Sequence, residues 1–81
     1  MSLSSPPLLL SDLPVGAFGT IEKLPFGRES LTRLRELGLV PGTKIHLVRR
    51  APLGDPLEVS VRGSRLAMRR AEAKCIEIQQ D

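Results

Sequence analysis

Apolar positions along this 81-residue chain follow two rhythms, and the switch between them marks its one long helix. From Ala17 to Leu24, Phe18, Thr20, Glu22 and Leu24 alternate with Gly19, Ile21 and Lys23, the period of an extended strand. Between Arg28 and Leu37 the spacing lengthens. Leu31 and Leu34 stand three apart and Leu37 continues the stripe, which fits a helix with one apolar face. Glu29 lies in the first turn, where a negative charge suits the helix dipole, and it precedes Arg33 by four residues in the favourable order. Gly38 supplies a left-handed terminating residue, and Pro41 blocks any resumption of the helix.

After the Pro41-Gly42 turn the period of two returns. Residues 43–50 read as a strand with Ile45 and Leu47 inward and Lys44 and His46 outward. Residues 57–62 repeat the pattern, with Leu57, Val59 and Val61 inward and Glu58, Ser60 and Arg62 outward. Between them Ala51-Pro52-Leu53-Gly54-Asp55-Pro56 forms a short connection that two prolines stiffen. Gly63-Ser64 turns the chain into a strand over 65–68, residues 69–74 permit one helical turn, and 75–78 form a closing strand. Upstream, Ser11 to Gly16 reads as a turn that delivers the chain into its first strand. The sum is a mainly β fold of about five short strands, with one inserted α-helix and a short second helical turn. Closely spaced turns favour a small closed or nearly closed barrel, because closure removes exposed strand edges. Residues 1–10 are assigned to a flexible leader and 11–81 to the domain.

Composition narrows this picture. Hydrophobic residues make up 41% of the chain and aromatic ones 2%, so the core must be built from Leu, Val and Ile, with Phe18 and Phe26 assigned to it. A chain of this length forms one domain and cannot easily hold an enzyme-sized pocket beside its core. The single cysteine, Cys75, excludes an internal disulfide and fits a reducing, cytoplasmic setting. Leu8-Leu9-Leu10 is too short to span a bilayer and lacks the preceding basic residues of a secretory signal.

Charge adds a direction. Residues 28–81 carry eleven basic groups against seven acidic ones, clustered as Arg33/Arg35, Arg49/Arg50 and Arg69/Arg70. That bias suits an acidic partner surface or a nucleic acid. Single-stranded nucleic acids, however, stack their bases on exposed aromatic rings, and with both phenylalanines in the core no such platform remains. Catalytic signatures are missing as well: there is no nucleophile elbow, no H-E-x-x-H and no phosphate-cradling glycine loop, so an enzyme is not expected. His46 and Cys75 are the only soft or borderline metal ligands, one of each and far apart in sequence. Structural metal sites use about four ligands in short-spaced pairs. His46 is therefore read as a solvated side chain, Cys75 as a half-buried hydrophobe, and no resident metal or cofactor is expected.

Several ordered motifs then carry a resemblance. Arg33-Leu34-Arg35-Glu36-Leu37-Gly38-Leu39-Val40-Pro41-Gly42-Thr43 is similar to the "RL-x-ELGL-x-PGT" signature of the FeoA domain family. Arg49 to Pro56 matches that family's "RRAPLGDP" hairpin, and Glu58 to Gly63, Leu66 to Arg69 and Glu72 to Ile78 follow its order. The resemblance covers residues 11–79. It implies an SH3-like barrel and a regulatory role beside FeoB, a membrane Fe(II) transporter with a cytosolic G-protein domain. On that reading the chain is peripheral to the membrane through its partner only, with weak self-association left open. Alternative readings are a transition-metal-responsive or a nucleic-acid-binding small barrel. For a contact surface, the chain's own residues suggest the stiff hairpin with Leu53, Gly54 and Asp55, the adjoining Arg49, Arg50 and outward Arg62, and the turn residues Leu39 and Val40 as exposed apolar positions. Leu31, Leu34 and Leu37 are assigned to the core, capping the barrel.

Overall fold

The structure, a computed structural model, describes residues 8–81. In chain order the elements are β1 (Leu8–Leu9), a 3-10 turn (Leu10–Asp12), β2 (Phe18–Lys23), α1 (Glu29–Glu36), β3 (Lys44–Arg50), β4 (Leu57–Val61), β5 (Ser64–Met68), α2 (Arg70–Ala73) and β6 (Glu77–Gln80). The six strands form one sheet in the order β1-β6-β2-β3-β4-β5, every neighbouring pair antiparallel. Ile21, Leu47, Val59, Met68 and Ile78, one from each of β2 to β6, bury their side chains in a single cluster with Leu31 and Leu34 of α1. A sheet whose strands all feed one core has to curl around it.

The folded unit begins earlier than the assigned leader boundary at residue 10 allows. Leu8 and Leu9 pair with Ile78 and Glu77, the Leu10 N–H donates to the Ile76 carbonyl at 2.9 Å, and Leu10 is fully buried. Three consecutive leucines show no period of two, and their partner strand lies at the other end of the chain, so local pattern could not reveal the pairing. The remainder of that leader, residues 1–7, lies outside the described residues.

The end of α1 explains a second departure. Gly38 has φ of +111°, the Leu39 N–H donates to the Leu34 carbonyl at 3.1 Å and the Gly38 N–H to the Arg35 carbonyl at 3.1 Å. This double closure brings the residue after the glycine back against the last turn of the helix, usually with an apolar contact. Leu34 and Leu39 are both fully buried, whereas Leu37 is exposed. Leu39, expected at the surface, thus takes the core place that the helical stripe assigned to Leu37.

Close backbone approach matters at Gly19. A Cβ there would stand 3.1 Å from both the Gln79 carbonyl oxygen and Ile78 Cδ1. Gly19→Ala is accordingly expected to destabilise the protein by about 1–2 kcal/mol through overpacking of the β2–β6 pair, read as a lower urea midpoint.

Candidate interaction surface

The connection between β3 and β4 is a braced loop. The Ala51 N–H donates to the Pro56 carbonyl at 3.0 Å, and the Gly54 N–H donates to the Ala51 carbonyl at 2.7 Å. Gly54 adopts φ of +85°, a conformation that glycine takes at little cost. Asp55 Oδ1 accepts the Arg70 N–H at 3.0 Å, at the first residue of α2, while Glu72 Oε1 accepts the Arg69 N–H at 2.7 Å. The loop is therefore anchored at its base and tied to α2. At its tip Leu53 is 93% exposed, the most exposed of the large apolar side chains among the described residues. Asp55, a candidate for partner contact, has its carboxylate engaged inside the molecule and serves as a brace.

The two neighbouring arginines have different roles, and a bulge separates them. Leu47 pairs with Val59 but Arg49 with Glu58, which leaves Val48 as an extra residue on β3. Beyond the bulge Arg50 stands opposite Leu57, whose side chain is buried. Paired residues share a sheet face, so the bulge turns Arg50 toward the inner face and Arg49 outward. Arg50 Nη2 donates to the Ser11 carbonyl at 2.7 Å and the Leu13 carbonyl at 2.9 Å. That corrects its assignment to the contact surface: Arg50 secures the turn before β2, and the exposed Arg49 is the one that faces outward.

Arg62 and Val40 belong elsewhere. Arg62 sits with φ of +53° in the β4–β5 turn, and its Cδ would lie 3.4 Å from a Cβ at Gly38. The 51–56 loop and this turn are at opposite ends of β4, a strand of five residues and hence roughly 17 Å long at the usual rise. Arg62 is exposed and Val40 half-buried, but neither shares a site with Leu53. At the loop end Leu53 and Arg49 are both exposed.

A cleft of about 540 Å³, which no sequence motif marks, lies beside the loop, lined by Arg33, Asp55, Pro56, Ala67, Met68, Arg69 and Glu72. Arg33 and Arg69 come from the two flanking basic clusters, so clustering was the available signal. Only the fold brings α1, the loop and α2 around the strand end.

Neither phenylalanine is in the core. Gly19 and Ile21 take the inward positions of β2, so alternation places Phe18 outward, 48% exposed. It is paired in register with His46, and the two rings stack with centroids 4.1 Å apart at 7°. His46 is thus a half-buried stacking partner rather than a freely solvated side chain. Phe26, in the β2–α1 connection, is 82% exposed beneath the Arg35 guanidinium, 4.2 Å from the ring centroid. Arg35 Nη2 also donates to the Leu24 and Pro25 carbonyls at 3.2 and 2.7 Å. The aromatic argument against nucleic acid therefore falls. Lys44 pairs with Asp81 at 2.9 Å, and the exposed Arg65 stands 3.9 Å from Glu58.

His46 and Cys75 are not brought together as a metal centre. His46 stacks on the outer face of β3, while the Cys75 thiol contacts the Ala71 carbonyl at 3.5 Å between α2 and β6. Among the described residues no three His, Cys, Asp or Glu side chains gather where they could hold a metal ion. No described helix is long and apolar enough to cross a membrane.

A curled antiparallel sheet, one capping helix and a braced apolar loop define a small SH3-like barrel. The FeoA domain family matches residues 8–80, and the chain belongs to this family, which is associated with ferrous iron transport. The FeoA protein of Chlorobium tepidum is 40% identical and superposes with a TM-score of 0.84, covering 90% of this chain and 70% of that one. Stenotrophomonas maltophilia FeoA, solved with zinc and described as a prokaryotic SH3 domain protein, is 33% identical with a TM-score of 0.76, covering 91% and 95%. The donor set of the present chain does not match a closed zinc centre, as the scattered His46 and Cys75 show. A manganese-dependent transcriptional repressor shares the fold, with a TM-score of 0.82 at 14% identity, and this chain spans 44% of its length.

Proposed function

We propose that this chain is a cytoplasmic, non-enzymatic accessory protein of bacterial ferrous iron uptake that regulates a FeoB-type membrane Fe(II) transporter by touching its cytosolic region. The family's association with ferrous iron transport supports the pathway, and the Stenotrophomonas relative is itself described as a candidate activating factor for such transport. The observation that carries the contact mode is Leu53, 93% exposed on a loop held by hydrogen bonds at its base and by Asp55 at α2. A preorganised apolar tip loses little conformational entropy on docking, which favours it as an anchor. Arg49, exposed near the end of β3 where the loop begins, offers a cation to acidic groups.

The test is binding to the soluble cytosolic domain of the transporter, measured by calorimetry. Leu53→Asp is expected to weaken binding at least tenfold, about 1.4 kcal/mol, with the urea midpoint unchanged because the side chain is exposed. Arg49→Glu is expected to have a smaller effect that fades at high salt. Undiminished binding by Leu53→Asp would remove the loop from the contact. Fe(II) uptake that survives deletion of this protein unaltered would remove the regulatory reading.

A further inference from the structure

The sheet has two edges, β1 and β5, and they are unequal. β1 has two residues, whereas β5 has five and pairs with β4 alone among the described strands. The β4–β5 turn consists of Arg62 and Gly63, both at positive φ, the two-residue geometry that closes on a hydrogen-bonded pair. That pair is Val61 and Ser64, and alternation then directs the backbone groups of Ser64, Leu66 and Met68 to β4. Arg65 and Ala67 therefore present their N–H and C=O groups to the open side. No backbone partner meets either of them there among the described residues.

We propose that this open edge of β5 receives an extended acidic peptide segment, which adds to the sheet as a further strand. The choice of occupant comes from charge. Residues 62–70 carry Arg62, Arg65, Arg69 and Arg70 and no acidic residue. Antiparallel pairing of two copies of this edge would set arginines against arginines, which is unfavourable, whereas a segment bearing glutamates or aspartates meets a cation at several positions. The C-terminal half of the edge, Ala67 to Arg69, opens on the 540 Å³ cleft, and Arg33 of α1 adds a further cation at its wall. The acidic groups nearby each have a partner within the molecule: Asp55 accepts the N–H of Arg70, Glu72 that of Arg69 just before α2, and Glu58 faces Arg65 at 3.9 Å. Main-chain hydrogen bonds supply affinity in such strand addition, and side chains set preference. The proposal does not rest on the transporter contact, because the probes below contain no transporter sequence.

The experiment uses the full chain, isotopically labelled, with an acetylated and amidated octapeptide of alternating Val and Glu. Its Val-Lys counterpart and an eight-nucleotide oligothymidylate serve as comparisons. At low salt the Val-Glu peptide is expected to slow amide hydrogen exchange at Arg65 and Ala67 by about tenfold or more. The Leu66 amide, already bonded to β4, should change little. Ala67→Pro removes the outward donor at an edge position where proline is tolerated, and it is expected to weaken the peptide at least about tenfold. Should that variant fail to fold, Arg65→Glu with Arg69→Glu is expected to transfer preference to the Val-Lys peptide. Equal binding of both peptides overturns the proposal, and so does equal protection of these amides by oligothymidylate. Protection that appears without peptide as protein concentration rises would assign the edge to a second copy of the chain, overturning it equally.

Discussion

Leu10→Ala is expected to lower stability by about 2–5 kcal/mol, the usual cost of opening a cavity where a leucine was fully buried. Leu10 is fully buried, its N–H holds the Ile76 carbonyl, and Leu13 on the same turn is fully buried beside it. The domain is small, and small domains have narrow margins. With a urea slope of about 1 kcal/mol/M, the midpoint should fall by about 2 M or more. The contrast is with Leu8, which is half-buried at the margin of the same cluster and should cost clearly less on truncation. An unchanged midpoint for Leu10→Ala would show that the N-terminal leucines are a dispensable leader after all. The experiment therefore decides where the folded unit begins.

Features whose cause lies within a few residues were legible in the sequence. Helix α1 could be read from Leu31, Leu34, Glu29 and the Gly38–Pro41 stop, and β4 from its unbroken alternation. The 51–56 loop could be read from its two prolines and Gly54, and the exposure of Leu53 followed from the tightness of that turn. Features caused by distant partners were not legible. β1 exists because β6 offers it an edge. Asp55 looked free for a partner because the N–H it accepts belongs to Arg70, fifteen residues further on. Phe18 looked like core because aromatic residues are scarce here, yet Gly19 and Ile21 had already claimed the inner face of β2. The FeoA motifs conveyed family and fold, but they could not separate residues that shape the barrel from residues that face outward.

The arginines show the same division. Arg35 and Arg50 use their guanidinium groups on backbone carbonyls. Such groups hold loops to the barrel, and charge counting cannot distinguish them from cations available to a partner. Arg49 and the residues that border β5 are where the basic excess is open to an acidic surface, which is why the two proposed contacts fall on that side of the charge ledger.

Arg50→Met puts this division to a direct test. Methionine keeps most of the stem and removes the donors, so the change isolates the two hydrogen bonds to Ser11 and Leu13 from packing. Hydrogen bonds from a charged donor contribute about 1.5–3 kcal/mol each, and the partly buried carbonyls lose their partner together, so a total cost of about 3 kcal/mol is expected. Arg49→Met, one residue earlier and exposed, is expected to change stability by no more than about 0.5 kcal/mol. The difference arises from Val48: without that extra residue, Arg49 rather than Arg50 would stand opposite Leu57. Equal urea midpoints for the two variants would mean that the bulge is misplaced. Because Ser11 lies within, and Leu13 directly after, the same turn that buries Leu10, the double variant Leu10→Ala with Arg50→Met should lose less than the two single costs added together. Once either side chain is gone, the turn it held no longer presents the other with its partners.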